Sequence, residues 1–162
     1  DILKKQKEDY TEELKKFIGA SEIITADRSE LIERGIKAFK SEDYFSSIHI
    51  LIFQVEGILR DLLGKLGFPT FSYRDNEMRE KMLQDIILNL APVQGIDSDF
   101  LKFIEVYLCD SRGDNYRNDV AHGLLPAKAF TRENAELLLL IIIKLAAYTI
   151  IKVEVKDAPK TA

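Results

Sequence analysis

Two side chains in this sequence are suited to chemistry on a phosphate without a metal. They are Arg117 and His122, in the run Arg117-Asn118-Asp119-Val120-Ala121-His122-Gly123. A guanidinium presents a planar fork of N–H donors that fits a phosphate. An imidazole that titrates near neutrality is suited to moving protons. Together they match RNA cleavage by the strand's own 2′-OH: His122 would handle a proton and Arg117 would stabilise the charged phosphorane. On a regular helix, five positions advance by about 500°, leaving the two side chains roughly 140° apart and about 7.5 Å along the axis. They are therefore not face-mates. Asn118 and His122, at i and i+4, are, so Asn118 is expected to orient the imidazole or to hold a phosphate oxygen. Gly123 closes the segment, and the free carbonyls at that end favour an imidazolium.

A plainer reading stands beside this one. Arg117 has Asp110, Asp114 and Asp119 near it in sequence as ion-pair partners, with His122 then a helix C-terminal cap. Other routes to chemistry are thin. The only histidines are His49 and His122, and Cys109 is the lone cysteine. Zinc sites gather three or four such ligands at characteristic spacings, so no metal is expected. Glycine patterns of the Walker or dinucleotide type are missing, so no cofactor is expected either. Arg112-Gly113-Asp114 spells an adhesion tripeptide, but nothing else suggests an extracellular protein. One cysteine allows no internal disulfide, which points to the reducing cytoplasm. The N-terminus has no apolar signal-peptide core. It also has no starting Met, and a longer chain with further domains upstream is expected. The net charge of -4 argues against a generic nucleic-acid coat, yet leaves room for a local basic cluster at one cleft.

Helices must position these residues. With 162 residues, 46% of them apolar, the chain can bury one sizeable core. Residues 1–27 read as a charged helix that docks on the rest or continues a connector, 28–155 as the domain, and 156–162 as a flexible tail. A short helix is expected over 29–40, capped by Ser29, with Ile32, Ile36 and Phe39 on one stripe. A long helix follows over 43–66, its apolar face built from Phe45, Ile48, Ile52, Val55, Leu59, Leu62, Leu63 and Leu66. Gly67 and Pro69 end it. Residues 70–76 read as a polar loop, 77–90 and 99–108 as helices, with Asp97 or Ser98 as the second cap. A turn-rich stretch at 110–115 leads into the short motif helix. Thr131 caps a last helix over 133–155. Its apolar run is interrupted by Lys144 and falls short of the ~20 residues a membrane span needs. Burial in protein or under a subunit partner is expected instead, with no membrane. No alternating strand pattern appears, so the expected fold is all-α, a bundle of about five or six helices.

Asp114-Asn115-Tyr116-Arg117-Asn118-Asp119-Val120-Ala121-His122-Gly123-Leu124-Leu125 resembles the N-x-R-N-x-x-A-H-G signature of DUF4209 domains, which belong with the HEPN-like superfamily. Ile52-Phe53-Gln54-Val55-Glu56-Gly57-Ile58-Leu59-Arg60 is similar to that family's Q-x-E-x-x-L-R helix. The resemblance covers residues 45–151, in the expected order. It implies a HEPN-like bundle that forms a homodimer with two motifs at a shared cleft. It also implies metal-independent endoribonuclease activity on RNA, single-stranded by expectation, in toxin, phage-defence or RNA-processing settings. The catalytic residues would be Arg117, Asn118 and His122, supported by Glu56, Arg60 and Asn115. Some members of the superfamily do not cut RNA, so a non-catalytic dimerisation or partner- or RNA-binding module is the alternative. Glu56 and Arg60 carry two expectations of their own. At i and i+4 they form an intrahelical ion pair contributing about 0.2–0.5 kcal/mol, or Glu56 reaches the motif helix and orients Arg117 or His122. His49 reads as a structural or surface residue.

Overall fold

In the computed structural model, which describes residues 2–74 and 77–150, one helix is buried on most of its sides and the others pack around it. The elements run α1 (Ile2–Gly19), α2 (Ala26–Lys40), α3 (Tyr44–Lys65), β1 (Phe71–Arg74), β2 (Glu77–Glu80), α4 (Leu83–Leu90), α5 (Ser98–Leu108), α6 (Tyr116–Ala121), a 3-10 turn (Ala127–Ala129) and α7 (Arg132–Ala146). The class is the mostly α-helical bundle that the apolar periodicity requires. The buried helix is α3, which packs against α2, α7, α4 and α6. Its apolar surface is wider than a single stripe. Leu51 and Ile58 are fully buried along with Ile48, Ile52, Val55, Leu59 and Leu63, because neighbours cover it from several directions. Ile18, Ile23 and Ile24 bring the N-terminal segment into the same core. Phe45, expected in the core, is 55% exposed. It lies in the first turn of α3, where its ring meets His49 and Phe130 at the surface.

The helix ends follow capping chemistry. The Thr25 hydroxyl, rather than Ser29, accepts from the Arg28 N–H, so α2 begins three residues before the expected start. Asp43 accepts from Ser46 N–H at 3.0 Å, Asp97 from Phe100 N–H at 2.9 Å and Thr131 from Asn134 N–H at 3.3 Å. At the far end of α3, Gly67 adopts φ +84, and the Phe68 N–H donates to the Leu63 carbonyl. This is the left-handed closure a glycine permits.

The structure corrects two further expectations. The polar loop and the first part of the helix expected over 77–90 are instead an antiparallel hairpin, with Phe71 opposite Glu80 and Tyr73 opposite Met78. Glu77-Met78-Arg79-Glu80 has ample helix propensity, but propensity is a weak prior against tertiary ties. Here Arg60 reaches out of α3 to Glu80 at 2.9 Å, and the Lys81 N–H donates to the Thr70 carbonyl at 2.9 Å. The last helix also stops early, at Ala146 rather than near 155. Beyond it the Tyr148 hydroxyl accepts from Asp97 N–H at 3.2 Å, and the Ile150 N–H donates to the Glu22 carboxylate at 2.8 Å. These bonds hold the departing backbone against other elements. Residues 151–155 of the expected helix and the tail 156–162 lie outside the described residues. Among the described residues, no helix is long and apolar enough to cross a membrane.

One close approach ties α2 to α3. Arg28 lies across Gly57, its Nε donating to the Asp61 carboxylate and its Nη1 to the Gln54 amide oxygen at 3.3 Å. A Cβ at Gly57 would stand 1.9 Å from Arg28 Nη1. The guanidinium would have to leave Asp61 and Gln54. Gly57→Ala is therefore expected to destabilise the wild type by about 1–2 kcal/mol. In an Arg28→Ala background the same change should stabilise by about 0.5–1 kcal/mol, because only helix propensity then operates. Urea unfolding of the four proteins checks that reversal of sign.

Candidate functional site around Arg117 and His122

The motif helix α6 is short, and its neighbours fix its position. The loop before it folds back on the end of α5: the Asp114 N–H donates to the Val106 carbonyl at 3.1 Å. A Cβ on Gly113 would lie 2.3 Å from that same carbonyl oxygen. Asp110 is buried here and accepts from the Arg112 backbone N–H and, at 2.8 Å, from its Nη2. The Arg112 guanidinium and backbone hold the Asp110 carboxyl down at about 2. Asn115 enters α6 in the left-handed region, at φ 50, a conformation that asparagine tolerates. Tyr116 and Val120 form the buried side of α6. The Tyr116 ring stacks on Tyr107 at 5.5 Å, and its hydroxyl donates to the Ala129 carbonyl at 3.0 Å. At the other end the Leu124 N–H reaches the Asp119 carbonyl and the Gly123 N–H reaches Val120, with Gly123 at φ +66. That pattern is a Schellman closure.

With Tyr116 and Val120 turned inward, Arg117 extends over α3. Its Nη2 lies 2.8 Å from Glu56 Oε2, and its Nη1 donates to Asn118 Oδ1 at 3.1 Å. The guanidinium also sits over the Phe53 ring, 5.7 Å from its centroid, within the range of a cation–π contact. Glu56 Oε1 accepts from Arg60 Nη2 at 2.8 Å, and Arg60 Nη1 continues to Glu80 at 2.9 Å. Both expectations for Glu56 are thus met at once: it pairs with Arg60 along its own helix and reaches the motif helix at Arg117. The Glu56–Arg117 contact is an ion pair by distance without an aligned hydrogen bond, and Arg117 Nε is buried with no acceptor. Two guanidinium groups therefore share one largely buried carboxylate.

The remaining polar residues arrange themselves differently from the helical-wheel expectation. The Asn118 side chain donates to Asn115 Oδ1 at 2.8 Å and accepts from Arg117, and its only tie to His122 is through the backbone, where the His122 N–H donates to the Asn118 carbonyl at 2.9 Å. Asn115 in turn donates to Asp119 Oδ1 at 3.2 Å. The left-handed turn at Asn115 brings its amide to Asn118, which face-mate spacing alone does not foresee. Asp110 is taken by Arg112 and Asp119 by Asn115, so neither serves Arg117. His122 caps the C-terminus of α6 and is exposed. Its imidazole makes no hydrogen bond, ion pair or ring contact among the described residues. Arg117, Asn118, Asn115, Glu56 and Arg60 thus form one network, and His122 stands apart from it at the helix end.

Three participants had no signal in the sequence reading. Glu80 was hidden because the hairpin reads as helix. Phe53 looks like one more apolar residue of α3. Tyr116 anchors α6 through a partner, Ala129, that lies beyond the motif. Burial, with Glu105 and Asp110 adding to it, pushes the Cys109 thiol up to about 11, which favours the protonated form at neutral pH. Among the described residues, no group of three or more His, Cys, Asp or Glu side chains converges to hold a metal. No family model, no curated protein and no solved structure matches the chain.

Removing Glu56 leaves two partly buried guanidinium groups facing each other. Glu56→Ala should destabilise by about 2–4 kcal/mol, because an uncompensated charge is worse than a missing pair. Glu80 is 70% exposed in its pair with Arg60, so Glu80→Ala should change stability by less than about 1 kcal/mol. Chemical denaturation of both variants measures the difference.

Proposed function

We propose that this chain is a HEPN-type, metal-independent endoribonuclease that cuts single-stranded RNA at the cleft of a homodimer. We further propose that it works in the cytoplasm as the effector of a toxin or phage-defence system. One observation supports the reading above the rest. An arginine is held by Glu56 and Asn118, and the same short helix ends in an exposed histidine whose side chain has no partner among the described residues. The first is suited to a phosphate, and the second is free to exchange protons with a substrate.

In the proposed reaction the ribose 2′-oxygen attacks the adjacent phosphorus. The 2′-OH proton passes to a neutral His122, the P–O5′ bond breaks, and O5′ takes a proton from an imidazolium. In a homodimer that imidazolium would be His122 of the second copy. The products are a 2′,3′-cyclic phosphate and a 5′-hydroxyl. Arg117 would donate to the non-bridging oxygens, where negative charge builds in the transition state. Asn118 would steady the guanidinium rather than the imidazole, given its bond to Arg117. Glu56, Arg60 and Asn115 would hold that arrangement.

A second reading also has an observation in its favour. Arg117 is already neutralised by Glu56, so it serves equally well as a pin between α6 and α3. The chain would then be a non-catalytic module for dimerisation or for binding a partner or RNA.

Incubation of labelled single-stranded RNA in EDTA separates the two. The nuclease reading expects cyclic-phosphate ends from wild type and a loss of about a hundredfold or more in His122→Ala. No cleavage of varied RNAs by a confirmed dimer favours the module, and equal cleavage by His122→Ala exposes another active site. Light scattering should give the mass of a dimer; a monomer persisting at high concentration removes the shared cleft.

A further inference from the structure

Upstream of Glu56, the surface side of α3 carries aromatic rings at four-residue spacing: Phe45, His49 and Phe53. Residues four apart lie one above another on a helix, so the rings form a row. This row is not core. Phe45 is 55% and Phe53 is 38% exposed, and His49 is half-buried. Phe130, just after the 3-10 turn, adds a fourth ring, 4.8 Å from Phe45 and stacked on His49 at 5.0 Å with planes 19° apart. The His49 Nδ1–H donates to the Phe45 carbonyl at 2.8 Å, which fixes the imidazole plane. Two cations neighbour the row, one in space and one in sequence. Arg117 lies over Phe53. Lys128, two residues before Phe130, is exposed and has no ion pair among the described residues.

We propose that these rings are a stacking shelf for the bases of single-stranded RNA, which leads the strand to Arg117. The proposal deepens the ribonuclease reading and rests on it for the choice of strand. From Phe45 to Phe53 the helix rises about 12 Å, room for two or three nucleotides. Flat ring faces accept any base, and flanking cations follow the phosphates, which is how sequence-tolerant single-strand binding is built. A second copy of the chain fits this surface less well. Lysine is depleted in protein interfaces, whereas Lys128 stands unpaired two residues from Phe130, and the His49 Nε2 has no partner among the described residues. A stacked base leaves that ring edge in water.

The probe is a short, labelled, single-stranded RNA with 2′-O-methyl groups, which has no 2′-OH to attack and reports binding alone. By fluorescence anisotropy, Phe45→Ala and Phe45→Leu should weaken binding by about tenfold, the order measured for losing one stacked base. Phe45→Tyr should restore most of it. The leucine variant is decisive, because it keeps apolar bulk and loses only the ring face. Circular dichroism melts verify that each variant folds, as expected for a residue more than half exposed. Lys128→Ala should lower the salt dependence of binding by about one phosphate contact. No binding by wild type, wild-type affinity in Phe45→Leu, or a change confined to dimer mass would each overturn the shelf. If wild type binds the blocked RNA through Phe45 yet fails to cut ordinary RNA, the shelf stands and the ribonuclease reading falls. Cleavage by wild type with no dependence on Phe45 does the reverse.

Discussion

A carboxylate on a helix that is apolar on most sides must find a partner, because desolvating an unpaired charge costs more than a fold of this size can offset. Glu56 finds two. Arg60, one turn along α3, takes Oε1, and Arg117 of α6 comes to Oε2. That second contact sets where the motif helix lies on the bundle, since α6 is too short to be stable on its own hydrogen bonds. Tyr116 and Val120 give α6 an apolar side to bury, and Glu56 gives its arginine a destination. The network then runs outward through Arg60 to Glu80 and the Thr70 carbonyl, which ties the exposed hairpin to α3.

The same arrangement separates two jobs within one short motif. Arg117 and Asn118 face the network and are held by it, whereas His122 falls at the left-handed closure of the helix and faces solvent. A positioned cation and an exposed imidazole on one short helix suit chemistry on a phosphodiester. A cation neutralised by Glu56 suits a structural pin equally well. The outer row of Phe45, His49, Phe53 and Phe130 bears on that choice, because a helix pin has no need of exposed, stacked rings beside it.

Much of this could be read from residue order. The spacing of Ile48, Ile52, Val55 and Leu59 demands a buried helix, and Asp43, Asp97 and Thr131 mark helix starts because their side chains cap free N–H groups. Arg117 and His122 stand out because arginine and histidine have distinctive chemistry at any position. Other features were hidden for definite reasons. Residues 77–80 favour helix locally, but pairing with 71–74 and the reach of Arg60 to Glu80 hold them as strand. Asn118 is a helical neighbour of His122 by spacing, yet the left-handed turn at Asn115 draws its amide the other way. Phe45 fits the apolar stripe by period, but a period does not say where neighbouring helices end.

By itself, then, the sequence determined the helical class and most helix boundaries, and it singled out the Arg117–His122 segment as the candidate site. These depend on local terms: periodicity, caps and the character of single side chains. Only the tertiary structure decided that Glu56 serves Arg60 and Arg117 together, that Asn118 belongs to the arginine, that His122 stands free, and that a hairpin replaces a helical turn. Glu56–Arg117 and Arg60–Glu80 join polar groups distant in sequence, which only proximity in three dimensions brings together. Asn118 instead follows the left-handed turn at Asn115, a backbone state that helical periodicity does not reveal.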